Sequence, residues 1–125
     1  MQGKLSMVEK QARFARLVAE FIPKAYEMGY LLNFGEAWRP EIVAQMYAKM
    51  GKGIANSLHC LRLAVDLNAY FEGKWLDASE DWHITHLDRL GQLWESLGEG
   101  CSWGGRFKSP KQDYNHYSLM HNGVR

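Results

Sequence analysis

Apolar residues recur along this chain with two different periods. From about Val8 to Ala25, the positions Phe14, Val18, Phe21, Ile22 and Ala25 fall on one side of a 3.6-residue repeat. That spacing predicts an amphipathic helix laid on a core and ended near Gly29. Tyr30 to Trp38 partly alternates instead, with Leu32, Phe34 and Trp38 sharing a parity, and reads as a short half-buried strand. Pro40 suits the first turn of a helix, where its missing N–H costs no hydrogen bond, and Val43, Met46, Tyr47 and Met50 continue as an apolar stripe that Gly51 stops. Residues 51–56 form a Gly-punctuated loop, and Leu61 to Leu67 is apolar enough for a central strand. A further helix, capped by Asp77 or Ser79, puts Leu87, Leu90, Trp94 and Leu97 on one face and ends at Gly98. Turn-forming residues then gather around Trp103, and Gln112 to Met120 reads as a last strand. Helices interleaved with a few strands predict an α+β domain with a small sheet.

Composition narrows the function classes. A chain of 125 residues has room for one core, so residues 1–125 are expected to form a single domain. With 46% hydrophobic and 23% charged residues it is an ordinary folding sequence rather than a disordered one. Fifteen basic residues against fourteen acidic ones, with no like-charge run, argue against a nucleic-acid partner. The apolar stretches are too short to span a bilayer, so no membrane insertion is expected. Met1 to Lys10 is polar and lacks a Sec-type apolar core, which predicts synthesis in the cytoplasm without that signal. Two cysteines can make one bridge at most and say little about compartment.

The strongest chemical signal is the segment from Ser57 to Leu67, where His59 and Asp66 stand seven residues apart at a loop-to-strand entry. An imidazole and a carboxylate are suited to zinc, and a catalytic zinc takes three protein ligands and keeps one position open. His116 supplies a third ligand, and Asp113, three positions before it, supplies a base. Taken singly, each has a plainer role, as a hydrogen-bonded structural histidine or a turn acceptor; the joint occurrence favours the metal reading. His83 and His86 form a His-x-x-His on a helix but lack the intervening Glu of a zincin, so they read as surface or supporting residues.

These residues resemble the zinc peptidases of bacterial cell walls, the D-Ala-D-Ala carboxypeptidases and dipeptidases and the phage L-alanyl-D-glutamate endopeptidases. The shared pattern is Ser-x-His-x6-Asp, then an acidic residue, two residues and a His, here Ser57, His59, Asp66, Asp113 and His116. Arg39, in Ala37-Trp38-Arg39-Pro40, matches the family's upstream Arg, and Trp103-Gly104-Gly105 is similar to a Trp-Gly-Gly turn of phage members. Two positions depart from the pattern: Arg62 stands where the family usually has Gly, and Asn115 where it often has Pro.

The resemblance implies an antiparallel sheet with helices packed on it, of the hedgehog/D-Ala-D-Ala-metallopeptidase type. It implies Zn²⁺ held by His59, Asp66 and His116, Asp113 as the base, and Arg39 facing the oxyanion. Ser57 and Trp103 are candidate substrate contacts; Ser57 either binds substrate or orients its loop, and for Trp103 packing in the core is favoured over stacking on substrate. The implied activity is hydrolysis of a peptidoglycan stem peptide by a monomer acting on the cell wall, phage-encoded or otherwise released. Cleavage of the L-alanyl-D-glutamate bond in lysis is the first expectation. A D,D- or L,D-carboxypeptidase, or a non-catalytic wall- or virion-binding module on the same fold, is the alternative.

Overall fold

A computed structural model describes residues 5–53 and 57–125. The second half of the expected 51–56 loop lies outside the described residues. The chain runs α1 (Met7–Glu27), β1 (Tyr30–Phe34), α2 (Glu41–Lys49), β2 (Ala64–Phe71), β3 (Lys74–Trp75), α3 (Asp81–Ser96), β4 (Cys101–Trp103) and β5 (His116–Leu119). All strand pairs are antiparallel in the order β1-β2-β5-β4, and β3 folds back on β2 as a hairpin. The α+β architecture with a small antiparallel sheet is therefore as the sequence predicts.

α1 starts at a capping box in which Ser6 accepts from the Glu9 N–H and the Glu9 carboxylate accepts from the Ser6 N–H. Its buried side is Phe14, Leu17, Phe21 and Ala25; Val18 and Ile22 are half-buried at its margin. α3 buries His83, Leu87, Leu90, Gly91 and Trp94. Together the two helices cover one face of the sheet, where Val65, Leu67, Ala69, Tyr117 and Leu119 meet them. Trp94 stands edge-on to Phe14, Phe21 and Tyr117 at centroid distances of 5.8, 5.6 and 6.0 Å. Successive strand residues face opposite ways. The alternate residues of β2 and β5, Asp66 and His116, therefore face away from the helices.

Several expectations need correcting. β1 ends at Phe34, not Trp38, and of the shared-parity residues Leu32 is half-buried while Phe34 and Trp38 are exposed. Along α2 only Ala44 is buried, and Met46 and Met50 of the expected stripe are exposed. The central strand begins at Ala64 and runs on to Phe71, because residues Leu58–Leu61 wind into a 3₁₀ turn instead. α3 is preceded by Glu80 with no side-chain cap; Asp77 accepts from the Ser79 N–H and lies 2.9 Å from His83.

Candidate metal centre and active site

Three elements bring the expected ligands together. His59 sits in the 3₁₀ turn, whose first N–H groups need acceptors. Ser57 precedes that turn, and its hydroxyl accepts from the His59 N–H at 3.2 Å. The His59 ring is aimed by the Ala37 carbonyl, 3.3 Å from Nδ1, which leaves Nε2 turned toward Asp66 at 3.3 Å. Sheet register does the rest, because Asp66 of β2 pairs directly with His116 of β5. Their side chains share a face, with His116 Nδ1 3.7 Å from Asp66 Oδ1. The two imidazoles stand nearly perpendicular, 5.2 Å between centroids.

One nitrogen from each histidine and one Asp66 oxygen lie within 4.8 Å of one another. Asp66 Oδ1 and His116 Nε2 are both buried without a hydrogen-bond partner. At 3.3 Å, His59 approaches Oδ1 without hydrogen-bond alignment, so the contact is electrostatic. Buried polar atoms in proteins are nearly always satisfied. Two orphaned atoms within one small nitrogen-and-oxygen cluster are what a bound cation would satisfy, and the donor set suits zinc.

The electrostatics agree with such a cluster. Burial pushes the Asp66 carboxyl up, but the two imidazoles outweigh it and hold the pKa at about 2. Burial disfavours the charged form of His59, yet the neighbouring Asp66 carboxylate prevails and raises its pKa above the ordinary 6.5. Asp113 is shifted the other way from Asp66. Protein crowding around its carboxyl raises the pKa, the negative charge of Asp66 adds to this, and His116, His59 and Arg39 oppose it.

Asp113 lies outside the three-residue cluster but lines the same open cavity of about 580 Å³, with Arg39, Ser57, His59 and His116. Arg39 follows β1, and its backbone N–H donates to the His59 carbonyl at 3.2 Å. Its guanidinium donates through Nε and Nη2 to Glu36 Oε1 and lies 5.1 Å from the centroid of the Tyr47 ring. Burial works against the guanidinium's charge, but Glu36 outweighs it. Glu36 is not singled out by the sequence, and Tyr47 figures there only in the apolar stripe after Pro40. Glu36, three residues before Arg39, was the available signal.

The Trp-Gly-Gly turn explains how Asp113 and His116 are held. The Gly104 carbonyl accepts from the Asp113 N–H at 2.9 Å, and the Asp113 carbonyl accepts from the His116 N–H at 3.2 Å. A Cβ on Gly104 would collide with the Asp113 carbonyl. The expectation that Trp103 contacts substrate is corrected. It pairs with Tyr117 in the sheet and shares its parity, so its ring turns to the helix side, against Gly91. It is 2% exposed, and its indole N–H donates to the Tyr114 carbonyl at 2.9 Å. Trp103 is a packed aromatic.

The other singled-out residues also find places. Arg62 takes a left-handed conformation, φ 57° and ψ 35°, at the end of the 3₁₀ turn, which accounts for the family's usual Gly there. Its guanidinium lies over Trp38, 4.6 Å from the ring centroid, and it does not line the cavity. Asn115 donates through its side-chain amide to Asn68 at 3.1 Å. His83 is buried rather than at the surface, and His86 packs on Phe71 and bonds the Tyr30 hydroxyl at 2.7 Å.

Residues 50–119 match the model of a family described as D-alanyl-D-alanine carboxypeptidase. No curated protein matches the sequence significantly. Among solved structures, the fold is similar to that of the Serratia marcescens L-Ala D-Glu endopeptidase ChiX, with a TM-score of 0.65 and 22% identity over 85% of this chain and 79% of that one. The family match spans more than half of the chain and contains His59, Asp66, Asp113 and His116. The chain belongs to the D-alanyl-D-alanine carboxypeptidase family and is a metallopeptidase acting on peptidoglycan peptides.

Proposed function

We propose that the protein is a zinc-dependent endopeptidase that cleaves the L-alanyl-D-glutamate bond of the peptidoglycan stem, within a single domain of residues 1–125. The observation that carries this reading is the convergence of His59, Asp66 and His116 at the wall of a cavity to which His59 and His116 contribute together with Asp113 and Arg39. His59, Asp66 and His116 would hold zinc. When bound, that ion supplies Lewis acidity and makes water acidic near neutral pH. Asp113, with its carboxyl raised above the ordinary range, is suited to take a proton from the attacking water and return it to the leaving amine. Arg39, pinned by Glu36 and permanently charged, favours the negative charge that develops on the carbonyl oxygen. Ser57 orients His59 through the turn it caps.

An endopeptidase must accept chain on both sides of the cut bond. Asp113 and Gln112 form a wall shared by the large cavity and a second one of about 250 Å³ lined by Asn68, Trp75 and Asn115. Room on both sides of the base favours internal cleavage over removal of a terminal alanine. The similarity of Trp103-Gly104-Gly105 to the turn of phage members favours a lysis role. Digestion of purified peptidoglycan with zinc-loaded protein, followed by mass spectrometry, tests the bond directly. The expected product carries a new N-terminal D-glutamate. Loss of only the terminal D-alanine would make the protein a carboxypeptidase, and an undigested wall would make it a binding module.

A further inference from the structure

Net charge hides an uneven distribution. Of fifteen Lys and Arg residues, five line the large cavity: Arg39, Lys52, Lys108, Lys111 and Arg125. Arg39 is paired with Glu36. Among the described residues, the other four have no acidic partner within ion-pair distance; the only other arginine pairs are those of Arg106 with Asp88 and Glu95. Lys108 and Lys111 are held on one wall by a tight turn in which the Lys111 N–H donates to the Lys108 carbonyl at 2.8 Å. Arg125 is stationed over Phe107, 5.4 Å from the ring centroid. The smaller cavity across Asp113 has no Lys or Arg in its lining; besides Asp113 its charged side chain is Asp77, which repels anions, and it offers the Asn68 and Asn115 amides and the indole of Trp75.

Unpaired cations in a concave site focus a positive potential and draw in anions. The two cavities therefore sort a substrate by charge along its length, with the anionic part on the lysine side and the uncharged part beside Asn68 and Trp75. A stem peptide attached to a sugar has this polarity about its first peptide bond. Sugar and alanine are uncharged, whereas the residues beyond carry carboxylates. Glutamate joined onward through one carboxyl keeps a second, and cell walls carry that group either free or amidated.

We propose that Lys52, Lys108, Lys111 and Arg125 form a carboxylate-binding subsite that selects stem peptides whose glutamate carboxyl is free over those in which it is amidated. This inference rests on the stem-peptide reading of the site. It assigns to the four residues recognition of substrate charge, with no part in the bond-breaking step.

The test compares two synthetic muramyl stem peptides, identical except for a free or amidated glutamate carboxyl, on zinc-loaded protein. The readout is kcat/KM where a peptide is cut and Kd by calorimetry where it is not. The free acid is expected to be preferred at least about tenfold at low ionic strength, with the preference shrinking as salt screens the subsite. In the K108Q/K111Q variant, which changes two exposed side chains, the preference should fall below about threefold while zinc content is kept. Equal values for both peptides on the unmodified protein would overturn the proposal, as would a preference that K108Q/K111Q leaves intact. Mass spectrometry of the products separately locates the cut. Cleavage elsewhere would defeat the L-alanyl-D-glutamate reading, while the comparison of acid and amide still decides on the subsite.

Discussion

Gly104 lies so close to His116 that a methyl group added to it would come within 2.8 Å of the His116 Cβ. The Gly104 backbone is also bonded to Asp113, so a single residue without a side chain sets the position of both the proposed base and a proposed ligand. Its φ is not in the left-handed region, so space rather than conformation excludes a side chain. Gly104→Ala should cost about 1–3 kcal/mol of stability through overpacking. It should weaken zinc binding more than a comparable substitution at the open Gly73. Thermal melting and competitive zinc titration check both parts, and unchanged zinc affinity would remove Gly104 from the support of the site.

Asp113→Ala separates the proposed base from the proposed ligands. Its carboxylate is not part of the three-residue cluster and stands at the cavity surface, so zinc content and melting temperature should stay near those of the unmodified protein. Hydrolysis of peptidoglycan should fall by about 10²–10⁴, the usual contribution of a positioned proton carrier. Retained muralytic activity would show that another group takes the proton. His59→Ala should lose metal and activity together.

Much of this site was legible because its chemistry lies in residue types and spacing. His59, Asp66, Asp113 and His116 are all visible in the chain, and antiparallel pairing of the two segments that carry Asp66 and His116 is the simplest way to unite them. The less legible parts depend on backbone detail. The 3₁₀ turn at Leu58–Leu61 looks like strand because its residues are apolar, and only the left-handed Arg62 reveals in the structure why a strand cannot start earlier. Trp103 could not be assigned to core or cavity without knowing the register that gives it the parity of Tyr117. The α2 stripe misleads because apolar spacing does not say whether anything packs against it; Met46 and Met50 remain exposed. Glu36 is not distinguished in the sequence because an Arg partner three residues away is an ordinary surface arrangement until the fold closes over it.

In the proposed site protons and zinc compete for His59, and the competition has a defined sign. Asp66 raises the His59 pKa above 6.5, and a ligand imidazole must be neutral, so zinc affinity should decline as pH falls through that raised value. Asp66, with a pKa of about 2, stays ionised throughout this range. In the metal-free protein, the same raised pKa stabilises the fold below the unfolded value and loses that contribution as pH rises through the folded one. The rise in melting temperature produced by zinc should therefore grow between pH 5.5 and pH 8, roughly the span over which an imidazole changes charge. A zinc-induced shift independent of pH would mean that His59 does not bind the metal.

Glu36 and Arg39 make a pair in which one residue acts through the other. Arg39→Ala should lower kcat with zinc content unchanged, because the guanidinium is not a ligand. Glu36→Gln should keep the charge of Arg39 but loosen its aim, giving a smaller loss in kcat of about tenfold, equivalent to 1.4 kcal/mol. Steady-state kinetics on a muropeptide separate the two effects from substrate binding. If Glu36→Gln proved as damaging as Arg39→Ala and also lost zinc, Glu36 would belong to the metal site, from which it is only 3.9 Å at His59 Nδ1.

Arg62 allows the strain in the ligand-bearing turn to be measured apart from its side-chain contacts. Both Arg62→Gly and Arg62→Ala remove the guanidinium from Trp38, so any difference between them reports the backbone alone. An L-residue held near φ 57° is disfavoured by about 1–2 kcal/mol relative to the same conformation in glycine. Part of that is offset by the larger unfolded-state entropy of glycine. Arg62→Gly should therefore be the more stable of the two by about 1 kcal/mol. For a domain of this size, that is about 3–5 °C in melting temperature. Zinc content should be the same in both, because neither change reaches the cavity. An alanine variant equal to or above the glycine variant would show that the left-handed turn carries no strain, and the usual glycine of the family would need another explanation.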